Sequence, residues 1–201
     1  MTMLNTKFES SSRLLHTFST LFDNVPRTHQ QTSVLSAAWI DTVLGSIIAI
    51  ADETTLYLLE FETKRGLKKE IERLYSRGFT IISGNTPAIQ SITRELAAYF
   101  SGTLMEFKTP YRVLGSVFQQ DVWQVLCKIP YGETKSYREQ AIALGRPTAY
   151  RAVANANGAN QLSIVIPCHR IIASDGSLGG YSGGLAVKQW LLEHEKRTLQ
   201  K

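Results

Sequence analysis

The sequence predicts an α+β fold in two parts: a small α/β half over residues 34–109 and a mainly helical half over 110–201, preceded by a 33-residue extension. Val34 to Phe61 is β-branched and aliphatic, broken only by Gly45 and by Ala51-Asp52-Glu53-Thr54, which is how antiparallel strands with tight turns read. Helical periodicity then flanks one further apolar run. Beyond Pro110 and Gly115 the pattern changes to short helices bounded by cap residues and glycines.

Met1 to Ser33 is rich in Ser, Thr, Gln and Asn, and Leu14, Leu15, Phe18, Leu21 and Phe22 give it the spacing of one short helix. Two or three strands follow between Val34 and Phe61. Lys64 to Arg77 reads as a charged helix with Leu67, Ile71 and Leu74 facing inward. Its basic row (Lys64, Arg65, Lys68, Lys69, Arg73, Arg77) could meet phosphates, but Glu70 and Glu72 favour a solvated face. Gly78 ends that helix, Phe79 to Ser83 is a strand, and Pro87 opens a helix through Phe100 that Gly102 closes.

Lys108 to Gly115 is the boundary between the halves. Ser116 then caps an amphipathic helix, Val117 to Lys128, in which Cys127 is expected to be a buried, inert thiol. Ser136 caps Tyr137 to Leu144, and Gly145-Arg146-Pro147 turns the chain. Thr148 caps a third helix, Ala149 to Asn157, which Gly158 ends. Helix, short glycine-containing turn and helix is the spacing of a helix-turn-helix. A plain αα-hairpin is the commoner outcome of that spacing. The second helix, however, carries tiny side chains and a single arginine, Arg151, which suits close approach to a minor groove with the arginine as a wedge.

Ile164, Val165 and Ile166 read as a buried strand that ends at Pro167 and presents Cys168, with His169 and Arg170 next in line. A thiolate is a strong nucleophile, and a nearby base or positive field raises its population. Adjacent side chains on an extended segment alternate faces, so the Cys-His pair alone decides little. The stretch from Ser174 to Gly184 carries five glycines in nine residues, Gly176 to Gly184. Such a loop lets main-chain groups approach a flat ligand closely. The last helix, Leu185 to Lys196, places Lys188, Leu192 and Glu195 on one stripe, so Glu195 rather than Glu193 faces inward.

A formal net charge of +5 makes a polyanionic partner plausible without requiring one. Two cysteines exclude a disulfide framework and a zinc finger, and the four histidines show no metal-ligand spacing. No apolar run reaches membrane-spanning length and no secretory signal opens the chain, so a reduced, cytoplasmic protein is expected.

Tyr137, the Arg151-Ala-Val helix, Asn160, Pro167-Cys-His-Arg, Gly180-Tyr-Ser-Gly-Gly and the Lys188…Glu195 helix occur in that order. Together they resemble the methylated-DNA–protein-cysteine methyltransferases, also called 6-O-alkylguanine-DNA alkyltransferases, over about residues 116 to 196. The resemblance implies a ribonuclease H-like first domain and a second domain with a winged-helix-like helix-turn-helix. It implies that Cys168 accepts the alkyl group, that His169 takes its proton through a water, and that Glu195 orients His169. Tyr137 would donate to the guanine ring, and Asn160 would brace the active-site turn. Arg151 would replace the flipped nucleotide, with Thr148, Ala149, Ala152 and Asn155 against DNA. Gly179, Gly180, Tyr181, Ser182, Lys188 and Ile171 would form the base pocket. The implied partner is double-stranded DNA carrying alkylated guanine. The protein would act as a monomer, once per molecule, with no cofactor. Some members hold zinc in the first domain, but no ligand set for it is visible here, so no metal is expected.

Two other classes compete. A thiol hydrolase built on Cys168 and His169 would need an oxyanion hole and no DNA-binding helix. A silent DNA-binding regulator would have no need of an acceptor thiol. Weighing the intact protein after incubation with methylated DNA separates all three.

Overall fold

The computed structural model describes residues 33–200. The helical spacing at Leu14 to Phe22 lies outside the described residues. The first half is a four-stranded sheet of β1 (Val34–Thr42), β2 (Gly45–Ala51), β3 (Leu56–Phe61) and β4 (Thr80–Ser83), in the order β3-β2-β1-β4. The first three strands pair antiparallel and β4 runs parallel to β1. Gly45, at φ 103°, closes the β1–β2 turn in a conformation that favours glycine.

Helix α1 (Leu67–Ser76) covers one face of the sheet through Leu67, Ile71 and Leu74, which pack with Leu35, Ile48, Ile50 and Leu58. The other face, with Ile47, Ala49, Leu56, Leu59 and Phe61, meets α2 (Pro87–Ser101) and the second half of the chain. Strand β3 is therefore buried at every position, and its alternation sorts residues between two cores rather than between core and water. A bulge at Tyr57, where Ala51 pairs with Leu56 but Ile50 with Leu58, swaps the faces midway.

The outer edge of β3 positions the segment that carries Cys168. At one end Leu56 exchanges backbone hydrogen bonds with Pro110 and Arg112 of the connecting segment. At the other, the Leu59 N–H donates to the Gln161 carbonyl at 2.9 Å, and the Ser163 N–H donates to the Leu59 carbonyl at 2.8 Å. An edge that would otherwise be open to another chain instead holds the turn leading to Cys168.

The second half is helical: α3 (Val117–Cys127), α4 (Tyr137–Ala143), α5 (Tyr150–Gly158) and α6 (Leu185–Thr198). A two-residue parallel ladder of β5 (Lys135–Ser136) and β6 (Ile171–Ile172) ties the start of α4 to the exit of the Cys168 segment. Ser116 and Ser136 each form a full capping box, with Gln119 and Glu139.

Three expectations change. Ile164 to Ile166 is a buried turn, not a strand, and Ile164 stands at φ 72°. A β-branched residue in the left-handed region costs roughly 1–3 kcal/mol, which the surrounding bonds must offset. Thr148 does not cap α5: the Ala149 N–H closes a turn onto the Arg146 carbonyl, so the helix starts at Tyr150 and no side chain caps it. Lys64 precedes α1 and is buried, because it answers two buried carboxylates rather than water.

Candidate active site

The site is built on residues 160–170. Asn160 follows α5 by two residues and its side chain stands in for a missing backbone ladder. Its Nδ2 donates to the Ile166 carbonyl at 2.9 Å and to Cys168 Sγ at 3.3 Å, while Oδ1 accepts from the Leu162 N–H at 3.0 Å. One amide thus satisfies a turn that a β-branched run would not adopt alone. Cys168 opens a 3-10 turn, Cys168–Arg170, and is 6% exposed. Burial pushes its thiol up to about 11, with Asn160, Lys64 and Lys188 pulling it back and Glu60 opposing them. At that value the resting sulfur is a thiol near neutral pH.

His169 and Glu195 are both fully buried, and His169 Nε2 lies 2.8 Å from Glu195 Oε1. Oε1 also accepts from the Tyr99 hydroxyl at 2.8 Å and Arg170 Nη2 at 3.0 Å; Oε2 accepts from Arg170 Nε at 2.9 Å and the Gly132 N–H at 2.9 Å. Burial opposes ionisation of Glu195, but the hydrogen bonds and charges of His169 and Arg170 overcome it and hold the carboxyl well below its usual range. Burial lowers the His169 pKa, against the pull of Glu195. A neutral imidazole with Nε2–H on the carboxylate leaves Nδ1 as a base. Nδ1 is buried with no hydrogen-bond partner among the described residues. The Tyr181 ring meets the imidazole edge-on at 6.5 Å.

Lys188 organises the loop of residues 178–180. Its buried Nζ donates to the carbonyls of Ile171, Leu178 and, at 3.3 Å, Gly180. Burial pulls this amine down to about 8. Gly179 must be glycine: its φ is 63° and a Cβ would lie 3.1 Å from the Tyr137 ring. The Tyr137 hydroxyl reaches the Gly180 carbonyl at 3.4 Å, and burial raises its pKa, helped by the nearby Cys168. Tyr181 and Ser182 are partly exposed on this loop, whereas Ile171 is wholly buried and contributes its carbonyl. Cys168, His169, Glu195, Asn160, Lys188 and Tyr137 are thus brought together.

Arg151, Ala152 and Asn155 lie on the exposed face of α5, with Thr148 exposed and Ala149 half-buried just before it. The Arg151 guanidinium rests 5.6 Å from the Tyr150 ring centroid. The opposite face is pinned by Trp123 Nε1, which donates to the Ala156 carbonyl at 2.8 Å, and by paired amide bonds between Gln140 and Asn157. Cys127 is exposed rather than buried, because α3 turns that side to the surface beside Tyr111.

Sequence reasoning missed Tyr99, Arg170 as the second partner of Glu195, and a buried trio of Glu60, Lys64 and Glu70. Lys64 Nζ contacts Glu60, lies 2.9 Å from Glu70 Oε1 and donates to the Asn160 carbonyl at 2.6 Å. Ser163 Oγ donates to Glu60 Oε2 at 2.7 Å. Their one signal was a lysine four residues after a glutamate at a strand's end. Among the described residues no three His, Cys, Asp or Glu side chains group as a metal site, and no helix is long and apolar enough to cross a membrane.

Residues 36–113 match the family model of the 6-O-methylguanine DNA methyltransferase ribonuclease-like domain, and 117–197 that of the 6-O-methylguanine DNA methyltransferase DNA binding domain. A methylated-DNA–protein-cysteine methyltransferase of Methanosarcina barkeri is 40% identical over 162 residues, covering 80% of this chain and 97% of the relative. Its Salmonella typhimurium counterpart is 41% identical over 160 residues, 78% of this chain and 92% of the relative. Among solved structures, Mycobacterium tuberculosis OGT in complex with DNA superposes with a TM-score of 0.70 at 36% identity, covering 82% of this chain and 94% of that one. The 6-O-methylguanine-DNA methyltransferase of Pyrococcus kodakaraensis gives 0.58 at 26%, covering 80% and 98%. Both halves match in order and the chain spans nearly the full length of these relatives; it belongs to the methylated-DNA–protein-cysteine methyltransferase family.

Proposed function

We propose that this protein repairs duplex DNA by moving the alkyl group of 6-O-methylguanine, and of 4-O-methylthymine, onto its own Cys168. The observation that carries the reading is the buried acceptor thiol beside a neutral imidazole whose Nε2–H is committed to an ionised Glu195 and whose Nδ1 is free. His169 Nδ1 takes the Cys168 proton through a water. The sulfur attacks the methyl carbon, the S–C bond forms and the C–O bond breaks. The electron pair of that bond returns to the base, Tyr137 donates a proton to the ring, and the proton taken up by His169 returns to the Tyr137 phenolate through solvent, so the net change moves the thiol proton onto the base. The product is a thioether, which thiol exchange does not cleave, so each molecule reacts once. No cofactor is needed.

The base must leave the stack to reach Cys168, at a cost of a few kcal/mol. The exposed face of α5 supports this: small Ala152 permits close groove approach, Thr148, Ala149 and Asn155 flank it, and Arg151 fills the gap. Gly179, Gly180, Tyr181 and Ser182 line the pocket, with Lys188 and the Ile171 carbonyl fixing its wall. The protein acts as a monomer in the cytoplasm, with its two domains spanning 34–109 and 110–201.

Incubation with duplex containing 6-O-methylguanine should add one methyl group per molecule, mapped to Cys168. Cys168→Ala should bind the duplex and gain nothing, while Cys127→Ser should react normally. A methyl on Cys127, or none, would sink the assignment. Arg151→Ala should slow transfer from saturating duplex by about 10- to 1000-fold and leave transfer from the free base near normal. A phosphate contact at Arg151 would instead weaken binding, flatten its salt dependence and spare the saturated rate.

A further inference from the structure

The Glu195 carboxylate is shared between the two domains, because one of its donors comes from the ribonuclease-like half. We propose that Tyr99, through its hydroxyl bond to Glu195 Oε1, is a positioning residue that sets how firmly the carboxylate holds the His169 imidazole. This deepens the reading of His169 as the proton acceptor and rests on it.

Tyr99 sits near the end of α2 and is fully buried. Phe100, Phe107, Tyr131 and His194 surround its ring at centroid distances of 5.5, 5.5, 5.9 and 5.4 Å. Its carbonyl accepts from His194 Nε2 at 2.7 Å, so backbone and ring are both held. Packing alone would be met by phenylalanine, and a buried hydroxyl costs free energy unless it is bonded. This hydroxyl donates, at 2.8 Å, to the same oxygen that His169 Nε2 approaches at 2.8 Å. Arg170 Nη2 also donates to this oxygen, at 3.0 Å, so three donors divide its electron density. With the phenol removed, Oε1 becomes a stronger acceptor for the imidazole and the imidazolium becomes easier to form. Arg170 and Lys188 also act on His169, Tyr181 meets its ring, and Tyr131 and His194 flank Tyr99; Tyr99→Phe leaves all of them in place.

In Tyr99→Phe the Nε2–H proton of His169 should move downfield in the NMR spectrum of the resting protein. The acid limb of the single-turnover rate on methylated duplex should shift up by about half to one pH unit. The rate at high pH, where His169 is neutral in both proteins, should hold. Phe107→Leu, which loosens the same ring without touching Glu195, should lower the melting temperature and move neither signal. An unmoved His169 resonance in a folded Tyr99→Phe protein overturns the proposal, as does an equal shift in Phe107→Leu. Wild-type protein that gains no methyl from the duplex defeats the reading of the function instead, and the resonance still decides the role of Tyr99.

Discussion

Glu60 and Glu195 are both wholly buried carboxylates tied to the segment that carries Cys168, and their environments drive them in opposite directions. Glu195 meets a bidentate guanidinium, an imidazole, a phenol and a backbone N–H, and ionises far below the usual range. Glu60 has only the Ser163 hydroxyl and an ammonium that it shares with Glu70, and burial pushes it up to about 7 despite Lys64. Burial alone therefore does not set the charge of a carboxyl. The number of donors aimed at it does, and whether a second acid competes for them. The proposed chemistry uses the carboxylate whose charge is secure.

The largest effect should come from the secure side. Glu195→Gln removes the negative charge that His169 and Arg170 share, so the Arg170 charge is stranded and transfer should fall by about 10²- to 10⁴-fold. Stability should fall by about 3–5 kcal/mol, the usual cost of leaving a buried ion unpaired. Urea unfolding and single-turnover rates measure the two separately. A stable variant with a near-normal rate would break the contrast, because Glu195 would then matter no more than Glu60.

Next is Lys64→Met. It leaves Glu60 and Glu70 facing each other without a cation and removes the donor on the Asn160 carbonyl. Both acids should take up protons, so the loss of stability, again about 3–5 kcal/mol near neutral pH, should shrink as pH falls toward 5. Transfer should slow about tenfold through the loosened turn, well short of Glu195→Gln. A rate loss as deep as that of Glu195→Gln would place Lys64 in the chemistry.

The same contrast explains what could be read from sequence. The Glu195 side was legible: Lys188 and Glu195 share a helical stripe, and both are buried where that stripe faces inward. Capping boxes at Ser116 and Ser136 were equally local signals. The Glu60 side was not legible, because its partners Ser163 and Asn160 lie about a hundred residues away and meet it only across the β3 edge. A charged residue beside others of its kind reads as surface, and only the fold reveals Lys64 as the answer to two buried acids. Ile164 to Ile166 misled for a related reason: β-branched composition speaks for a strand, but the Asn160 amide supplies the backbone partners that make a turn cheaper. Tyr99, on a helix rich in apolar residues, reads simply as core.

The smallest change should be Glu60→Gln, and its sign is the sharpest test of the comparison. Below about pH 4.5 Glu60 is protonated folded and unfolded, and contributes no pH dependence. Between about 4.5 and about 7 the unfolded chain releases the proton while the folded one keeps it, so the wild type loses stability as pH rises. Glutamine has no such proton. The melting temperature of Glu60→Gln should therefore gain on the wild type across that window, by on the order of 5 °C, and the gap should stay level above it. Lys64 keeps Glu70 as its partner in the variant, so the trio is not left with a stranded charge. Because an ionised Glu60 raises the Cys168 pKa, transfer at pH 8 should be unchanged or faster by less than about threefold. A variant that instead loses ground on the wild type as pH rises toward about 4.5, and shows a level gap above it, would mean that Glu60, like Glu195, is held as an anion.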